Sequence, residues 1–404
     1  MDPTLDSSSG PSVPDLSLAQ DLFLLRTANL PTDVTEAAQK RILTAIDEGN
    51  MAPLYYYIHT SLDLATIPWD EEKYKTMTAK NEEDVNVLQT PISEAEMAGG
   101  EMEIAEGWIK VGEFWASVGD KEKAIFALRK AHDLSPGLGS KIDVLFTIIR
   151  VGLFFDDKTF VGNEIENVKV LIERGGDWDR RNRLKTYNGL YLLSTRKFSE
   201  AADLFLDSLS TFTSTELCKY EELVQYAILA AGVSLGRVPL KTKVIDSPEI
   251  LSLMSTTPSL EPLTTMTNSL YLCDYASFFK ALVDVNDSLL KLNRYLAPHS
   301  KYYVKEMRRR GYSQLLESYR ALSLKSMAEA FGVSVEFLDS DLSKFIPQKK
   351  INCVIDRVNG IIETNRPDNK NAQYQLLVKQ GDVLLTRLQK YGTAVRMSGS
   401  ERVA

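Results

Sequence analysis

Apolar residues recur every three or four positions along most of the chain, the spacing that lines one face of an α-helix. Leu22, Leu24 and Leu25, then Ala37, Ile42 and Ala45, then Leu54, Tyr57, Ile58 and Leu62 predict helices from Leu18 to about Met77. Residues 1–17 break the pattern with Ser, Pro, Gly and Asp and predict a disordered tail. Residues 79–106 are acidic and polar, and Ser93-Glu-Ala-Glu96 has capping-box spacing, which predicts a helix start there. From Trp108 the pattern becomes a repeat. Trp108, Val111, Gly112, Trp115, Gly119, Ala124, Leu128, Ala131 and Pro136 follow the tetratricopeptide pattern in register. Small Gly112, Ala124 and Ala131 belong where two antiparallel helices touch. Large Trp108, Trp115 and Leu128 fill the space around them, and Pro136 stops the second helix. Weaker units open at Gly152 with Phe155, and at Gly189 with Phe198, Ala201 and Phe205. One unit cannot bury its own apolar face, so the units are expected to stack. Helical spacing continues to about residue 310, with a capping box at Thr213-Ser-Thr-Glu216 and a helix start at Ser247-Pro248-Glu249.

Residues 314–366 read as a helix-turn-helix followed by a β-hairpin, the elements of a winged helix. Ala328 lets two helices approach, Gly332 makes the turn between them, and Ser334 caps the second. Ile351–Val358 and Ile361–Thr364 flank Asn359-Gly360, a pair suited to a two-residue type I′ loop. Such a loop sets Asp356 opposite Glu363, an unfavourable pairing of like charges. A helix that reads a DNA groove needs Lys, Arg, Asn or Gln to meet phosphates and base edges. This one carries Glu336, Asp339 and Asp341 against Lys344 alone, so the unit is expected to bind protein. Beyond the break at Arg366-Pro367-Asp368, a final helix is predicted from about Asn369 to Tyr391. Its stripe is Tyr374, Leu377, Val378, Leu384, Leu385, Leu388 and Tyr391, with Gly381 among them. The stripe either folds back on the winged helix or joins other chains in a bundle.

Composition narrows the picture. The chain has 404 residues, 44% hydrophobic and 25% charged, as in water-soluble globular proteins of two or three domains. A net charge of −8 disfavours polyanionic partners. Cys218, Cys273 and Cys353 are widely spaced, which suits a reducing compartment. The first residues lack the basic start and apolar run of a signal peptide, and the best apolar stretches, 145–155 and 227–235, are too short to span a bilayer. An intracellular protein is expected, without membrane partners.

No catalytic constellation emerges. His59, His132 and His299 lie apart from one another and from any Cys, with no zinc-ligand spacing, so neither metal nor cofactor is expected. Gly137-Leu-Gly-Ser-Lys141 lacks the upstream Gly of a phosphate loop and reads as a helix–helix connection. Two basic clusters remain: Arg174, Arg180, Arg181, Arg183 and Lys185, and Lys301, Lys305, Arg308, Arg309 and Arg310. Each reads as a solvated helix face pairing with nearby acids, with a docking surface for an acidic partner as the sharper alternative.

An α-solenoid leading into a protein-binding winged helix and a last helix resembles the PCI-domain subunits of the 26S proteasome lid. The stretches that carry the resemblance are Gly175-Gly-Asp-Trp-Asp-Arg-Arg-Asn-Arg-Leu-Lys185, Lys243-Val-Ile-Asp-Ser-Pro-Glu249, residues 306–319, and Asn352 through Asp368 into Lys370-Asn-Ala-Gln-Tyr374. It implies a mainly α fold: a TPR-like right-handed α-solenoid, a winged-helix (PCI) domain and a C-terminal helix. The domain plan is then a tail (1–17), an N-terminal helical region (18–95), repeats (96–210), a PCI domain (211–368; helical part 211–312, winged helix 313–368) and a final helix and tail (369–404). It further implies a non-catalytic scaffold in cytoplasm and nucleus, hetero-oligomeric with other PCI subunits, the deubiquitinating lid subunit and the ATPase base. Val354, Ile355, Ile361 and Ile362 of the hairpin, with Tyr374, Leu377, Leu384, Leu388 and Tyr391 of the last helix, are the expected subunit contacts. The alternatives are a PCI subunit of the signalosome complex, a nucleic-acid-binding winged-helix regulator, or an enzyme whose pocket the sequence does not disclose.

Overall fold

Aspartates start many of the helices, each accepting a first-turn backbone N–H: Asp15, Asp70, Asp120, Asp157, Asp177 and Asp274. In a computed structural model, residues 13–27, 31–62, 67–254, 256–364 and 369–400 are described. The chain divides into two compact units, Met1–Arg308 and Arg309–Ala404.

The first unit is a succession of helices, most of them packed on the next. It begins with α1 (Leu16–Arg26), α2 (Thr32–Gly49), α3 (Ala52–Thr60) and α4 (Glu71–Ala98). Three hairpins follow: α5 (Glu101–Val118) with α6 (Lys121–Leu134), α7 (Leu138–Phe154) with α8 (Lys158–Gly175), and α9 (Trp178–Ser194) with α10 (Phe198–Ser208). The unit continues through α11 (Tyr220–Ser234), α12 (Arg237–Leu240), α13 (Pro248–Met254), α14 (Glu261–Leu272) and α15 (Tyr275–Val285) into α16 (Ser300–Leu316), within which the second unit starts.

Gly112, Gly152 and Gly189 each sit where the two helices of a hairpin cross. A Cβ would lie 2.6 Å from Leu128 Cγ at Gly112, 2.8 Å from Val161 Cγ2 at Gly152, and 2.8 Å from Phe205 Cε1 at Gly189. The weak second and third repeats are therefore built on the same contact as the first. Leu128 is fully buried and cannot give way. Gly112→Val is expected to destabilise the first unit by about 2–3 kcal/mol through overpacking. Gly381→Ala, with nothing within 4 Å, is expected to gain about 0.5–1 kcal/mol of helix stability. Urea unfolding of the first unit checks the first sign, and protection of the α19 amides from hydrogen exchange checks the second.

Four local expectations are corrected. The predicted tail stops short of residue 17: Asp15 caps α1, and the carbonyl of Val13 accepts a hydrogen bond from Arg150 Nε at 2.9 Å. Residues 1–12 of that tail, and the break at 366–368, lie outside the described residues. No helix starts at Ser93. Buried Met77, Val85 and Ile92 hold α4 continuous through Pro91, and Ser93 Oγ donates back to Thr90 O. Thr213–Glu216 does not cap a helix, because the Glu216 carboxylate is taken by Arg183 and Tyr187; α11 starts at Tyr220, where Glu222 accepts the N–H of Lys219. Of Gly137–Lys141, only Gly137 precedes the helix; the rest is the first turn of α7.

The N-terminal segment clasps elements far away in sequence. Gln20 donates to Leu292 O at 2.5 Å and accepts from Arg294 N at 3.0 Å, while Arg294 reaches the carbonyls of Leu153 and Phe154 at the end of α7.

The second unit contains β1 (Ala321–Ser323), α17 (Leu324–Phe331), α18 (Val335–Phe345), β2 (Cys353–Asp356), β3 (Ile361–Thr364) and α19 (Asn369–Ser400). Gly332 takes the left-handed conformation (φ 64°) between α17 and α18, and Ser334 Oγ accepts from Phe337 N. Tyr312, Met327, Phe331, Leu338, Leu342, Phe345 and Ile362 form a buried core, with the Tyr312 ring centred 4.8 Å from that of Phe331. The described strands pair antiparallel in the order β1-β3-β2, with Leu322 and Ile355 both opposite Ile362.

Candidate functional site

The hairpin register differs from the expected one. Asp356 pairs with Ile361, and Val354 faces Glu363. The loop is thus four residues, 357–360, with Gly360 at φ 66°. Asp356 is the reason. Its Oδ1 accepts the N–H groups of Val358 and Asn359, and its Oδ2 accepts from Asn359 Nδ2. A carboxylate that folds the loop in this way outcompetes a two-residue turn and removes the opposition of Asp356 and Glu363. The Asn359 side chain and these N–H groups hold the Asp356 carboxyl below its usual pKa. A depressed carboxylate pKa stabilises the fold above the unfolded value, about 3.9, and that contribution is lost as pH falls through the folded value. Protection of the Val358 and Asn359 amides, relative to their intrinsic exchange rates, is therefore expected to fall below about pH 4, and Asp356→Ala to abolish that fall.

The third strand, β1, changes the meaning of the predicted contact residues. Because β3 is paired on both sides, Ile361 lies in the central strand, and Ile362 is fully buried as part of the core. Ile362 is corrected from a surface contact to a core residue. Val354 and Ile355 lie on β2, an outer strand of the described sheet, with Val354 53% exposed. The sequence reading missed Val358 at the hairpin tip, and Val335 and Phe337 at the start of α18, all exposed. Phe337 is out of phase with the buried Leu338, Leu342 and Phe345, which is a legible sign of an outward-facing aromatic.

The acidic character of α18 is also reduced. Asp341 is buried and accepts from Tyr312 Oη at 3.3 Å, and Asp339 forms an ion pair with Arg357 of the loop at 2.8 Å. What this helix shows to solvent near its start is Val335, Glu336 and Phe337, a mixed apolar surface.

The last helix is longer than expected, Asn369–Ser400 against a predicted end at Tyr391. Its stripe does not fold back. Tyr374, Leu377, Leu384, Leu388 and Tyr391 are all exposed, at 66, 67, 62, 62 and 75%. With Gly381 and Val395, these positions alternate in steps of three and four, the a and d positions of a heptad. Val378 and Leu385, also exposed, widen the stripe by one position per heptad, and an apolar face of this width and length fits packing against other helices.

The basic clusters resolve as the plainer reading anticipated for Arg180, Arg183 and Lys185. Arg180 pairs with Asp143 and Asp177, Arg183 with Glu216 and Asp143, and Lys185 with Asp207. In the second cluster Lys305, Arg308, Arg309 and Arg310 also have partners. Among the described residues, no group of three or more His, Cys, Asp or Glu is placed to hold a metal, and no helix is long and apolar enough to cross a membrane.

Three family models match the chain: "26S proteasome subunit RPN7" over residues 70–243, "PCI domain" over 284–366, and "26S proteasome regulatory subunit RPN7/PSMD6 C-terminal helix" over 373–395. The third spans the exposed heptad stripe. The chain is similar to the 26S proteasome regulatory subunit RPN7 of Saccharomyces cerevisiae, 48% identical over 100% of this chain and 97% of the relative. It is 47% identical to the rpn7 subunit of Schizosaccharomyces pombe over 97% of this chain and 98% of that one. The 26S proteasome non-ATPase regulatory subunit 6 homolog of Arabidopsis thaliana is 42% identical over 96% and 98%.

Proposed function

Since the chain belongs to the family of the 26S proteasome regulatory subunit RPN7, we propose that it acts as a scaffold of the proteasome's regulatory particle. It works by holding other subunits in place. The heptad stripe of α19, apolar and exposed along the stretch matched as the family's C-terminal helix, carries this reading. Helices from sister subunits would cover it in a bundle. The outer strand β2 would extend a neighbouring PCI sheet through main-chain hydrogen bonds, with Val354, Ile355, Val358 and Phe337 supplying apolar contact. The partners proposed are other PCI subunits of the lid, its deubiquitinating subunit and the ATPase base, in cytoplasm and nucleus. The subunit itself performs no chemistry and supports ATP-dependent degradation of ubiquitin-tagged proteins. The relatives matched over nearly their whole length are proteasome subunits, which sets the signalosome alternative aside. Affinity purification of the tagged chain under native conditions is expected to recover the other lid subunits by mass spectrometry; a tagged chain that recovers none of them would overturn the reading.

A further inference from the structure

We propose that a groove in the first unit, remote in sequence from the winged helix and α19, receives an arginine side chain of a partner polypeptide. The groove has a volume of about 530 Å³ and lies between α3, α4 and the turn joining α5 to α6. Tyr56, Tyr57, Tyr74, Trp115 and Phe155 form its aromatic lining. Tyr56 is half exposed, and its ring is centred 5.9 Å from that of Tyr74.

The polar groups in the groove point to a donor-rich cation. Asn81 lines it, is only 3% exposed, and its Oδ1 has no hydrogen-bond partner. A buried acceptor left without a donor is unfavourable, and an incoming N–H relieves it. The two cations of the groove are already engaged. Lys121 is paired with Asp157 at 2.8 Å; Lys123 lies 4.1 Å above the Trp115 ring and 3.4 Å from Asp120. That leaves the carboxylates of Glu82 and Glu122, neither of which forms an ion pair among the described residues. Two exposed carboxylates without an ion pair among the described residues, one orphan amide oxygen and an aromatic lining all favour a ligand that is positive, flat and rich in N–H. A guanidinium has five donors and stacks on aromatic rings, whereas an ammonium is a point charge. The α18 surface offers no comparable combination.

The full-length chain and capped Gly-Gly-Arg-Gly-Gly peptide test this by saturation-transfer NMR. Saturation is expected to be strongest on the arginine δ-methylene protons. The citrulline peptide, the same shape without the charge, is expected to bind about fivefold more weakly, and the lysine peptide to fall with it. Glu82→Gln with Glu122→Gln, both exposed and expected to leave the melting curve unchanged, should weaken the arginine peptide about fivefold or more. Asn81→Leu should weaken it as well. Equal binding of the arginine and citrulline peptides, no detectable binding, or no change in the double Gln variant would each overturn the proposal. Self-association of the chain that is lost in the double Gln variant would assign the arginine to a second copy, overturning the partner polypeptide.

Discussion

A chain that ends after Pro367 is expected to stay folded and to be left out of the proteasome's regulatory particle. The described side chains of α19 are exposed throughout, so its removal takes no buried contact from the rest of the second unit. The same exposure makes the helix costly to leave uncovered. Six apolar side chains occupy heptad positions, Tyr374, Leu377, Leu384, Leu388, Tyr391 and Val395. Burying each releases about 1.5–3 kcal/mol, roughly 9–18 kcal/mol together, of which ordering and association consume the larger part. A net of about 4 kcal/mol corresponds to a thousandfold weaker assembly on truncation. A finer variant separates packing from helix formation. Leu377→Ser, Leu384→Ser and Leu388→Ser together keep the helix length but strip the seam. Their urea midpoint should match the parent's, because these residues face water in the isolated chain, while native gels should show the subunit excluded from the particle. Normal incorporation of either variant would mean that α19 is not a bundle strut.

How far the sequence carried depends on the range of each interaction. The hairpin of α5 and α6, the turn at Gly332, the cap at Ser334 and the stripe of α19 are set by residues within a few positions of one another, and all were legible. Strand β1 was not. Three residues, Ala321–Ser323, have no periodicity to read, and they are a strand only because β3 offers an unpaired edge. Asn359-Gly360 signals a two-residue loop, but the register is set by Asp356, which binds the N–H groups beyond it. The burial of Asp341 is hidden for a related reason. A carboxylate on a helix looks solvated until Tyr312, 29 residues earlier, is found beside it. The proposed assembly surface is half legible: the final stripe is a pattern, whereas the burial of Ile362 follows from having strands on both sides.

Glu216 and the Arg180–Lys185 cluster, some thirty residues apart, meet in one hydrogen-bond network whose loss carries the largest expected stability cost. Glu216 Oε1 accepts from Arg183 Nε at 3.1 Å, Arg183 Nη2 at 2.9 Å and Tyr187 Oη at 3.1 Å. Tyr187 in turn accepts from Arg150 Nη1 at 3.1 Å, and Arg150 also holds Thr147 Oγ1 and the carbonyl of Val13. Burial pushes the Tyr187 hydroxyl up to about 12, so it stays protonated and passes its hydrogen bond to Glu216. One carboxylate thereby joins α7, α9, the segment before α11 and the N-terminal segment. Removing it leaves Arg183 with Asp143 alone and Arg150, itself buried, without the acid at the end of its chain of bonds. Breaking a buried ion pair from one side costs about 3–5 kcal/mol. Arg183 and Glu216 each keep about a fifth of their side-chain exposure, so Glu216→Ala is expected near the lower end, about 3 kcal/mol. Glu216→Gln retains an acceptor oxygen and should cost about 1–2 kcal/mol. Tyr187→Phe removes the relay and should cost a similar amount, less than additively with Glu216→Gln because both break the same link. Urea unfolding of the first unit, followed by a probe in α9, measures these differences. A Glu216→Ala variant within about 0.5 kcal/mol of the parent would mean that water replaces the carboxylate and that the repeats are held together by their glycine crossings alone.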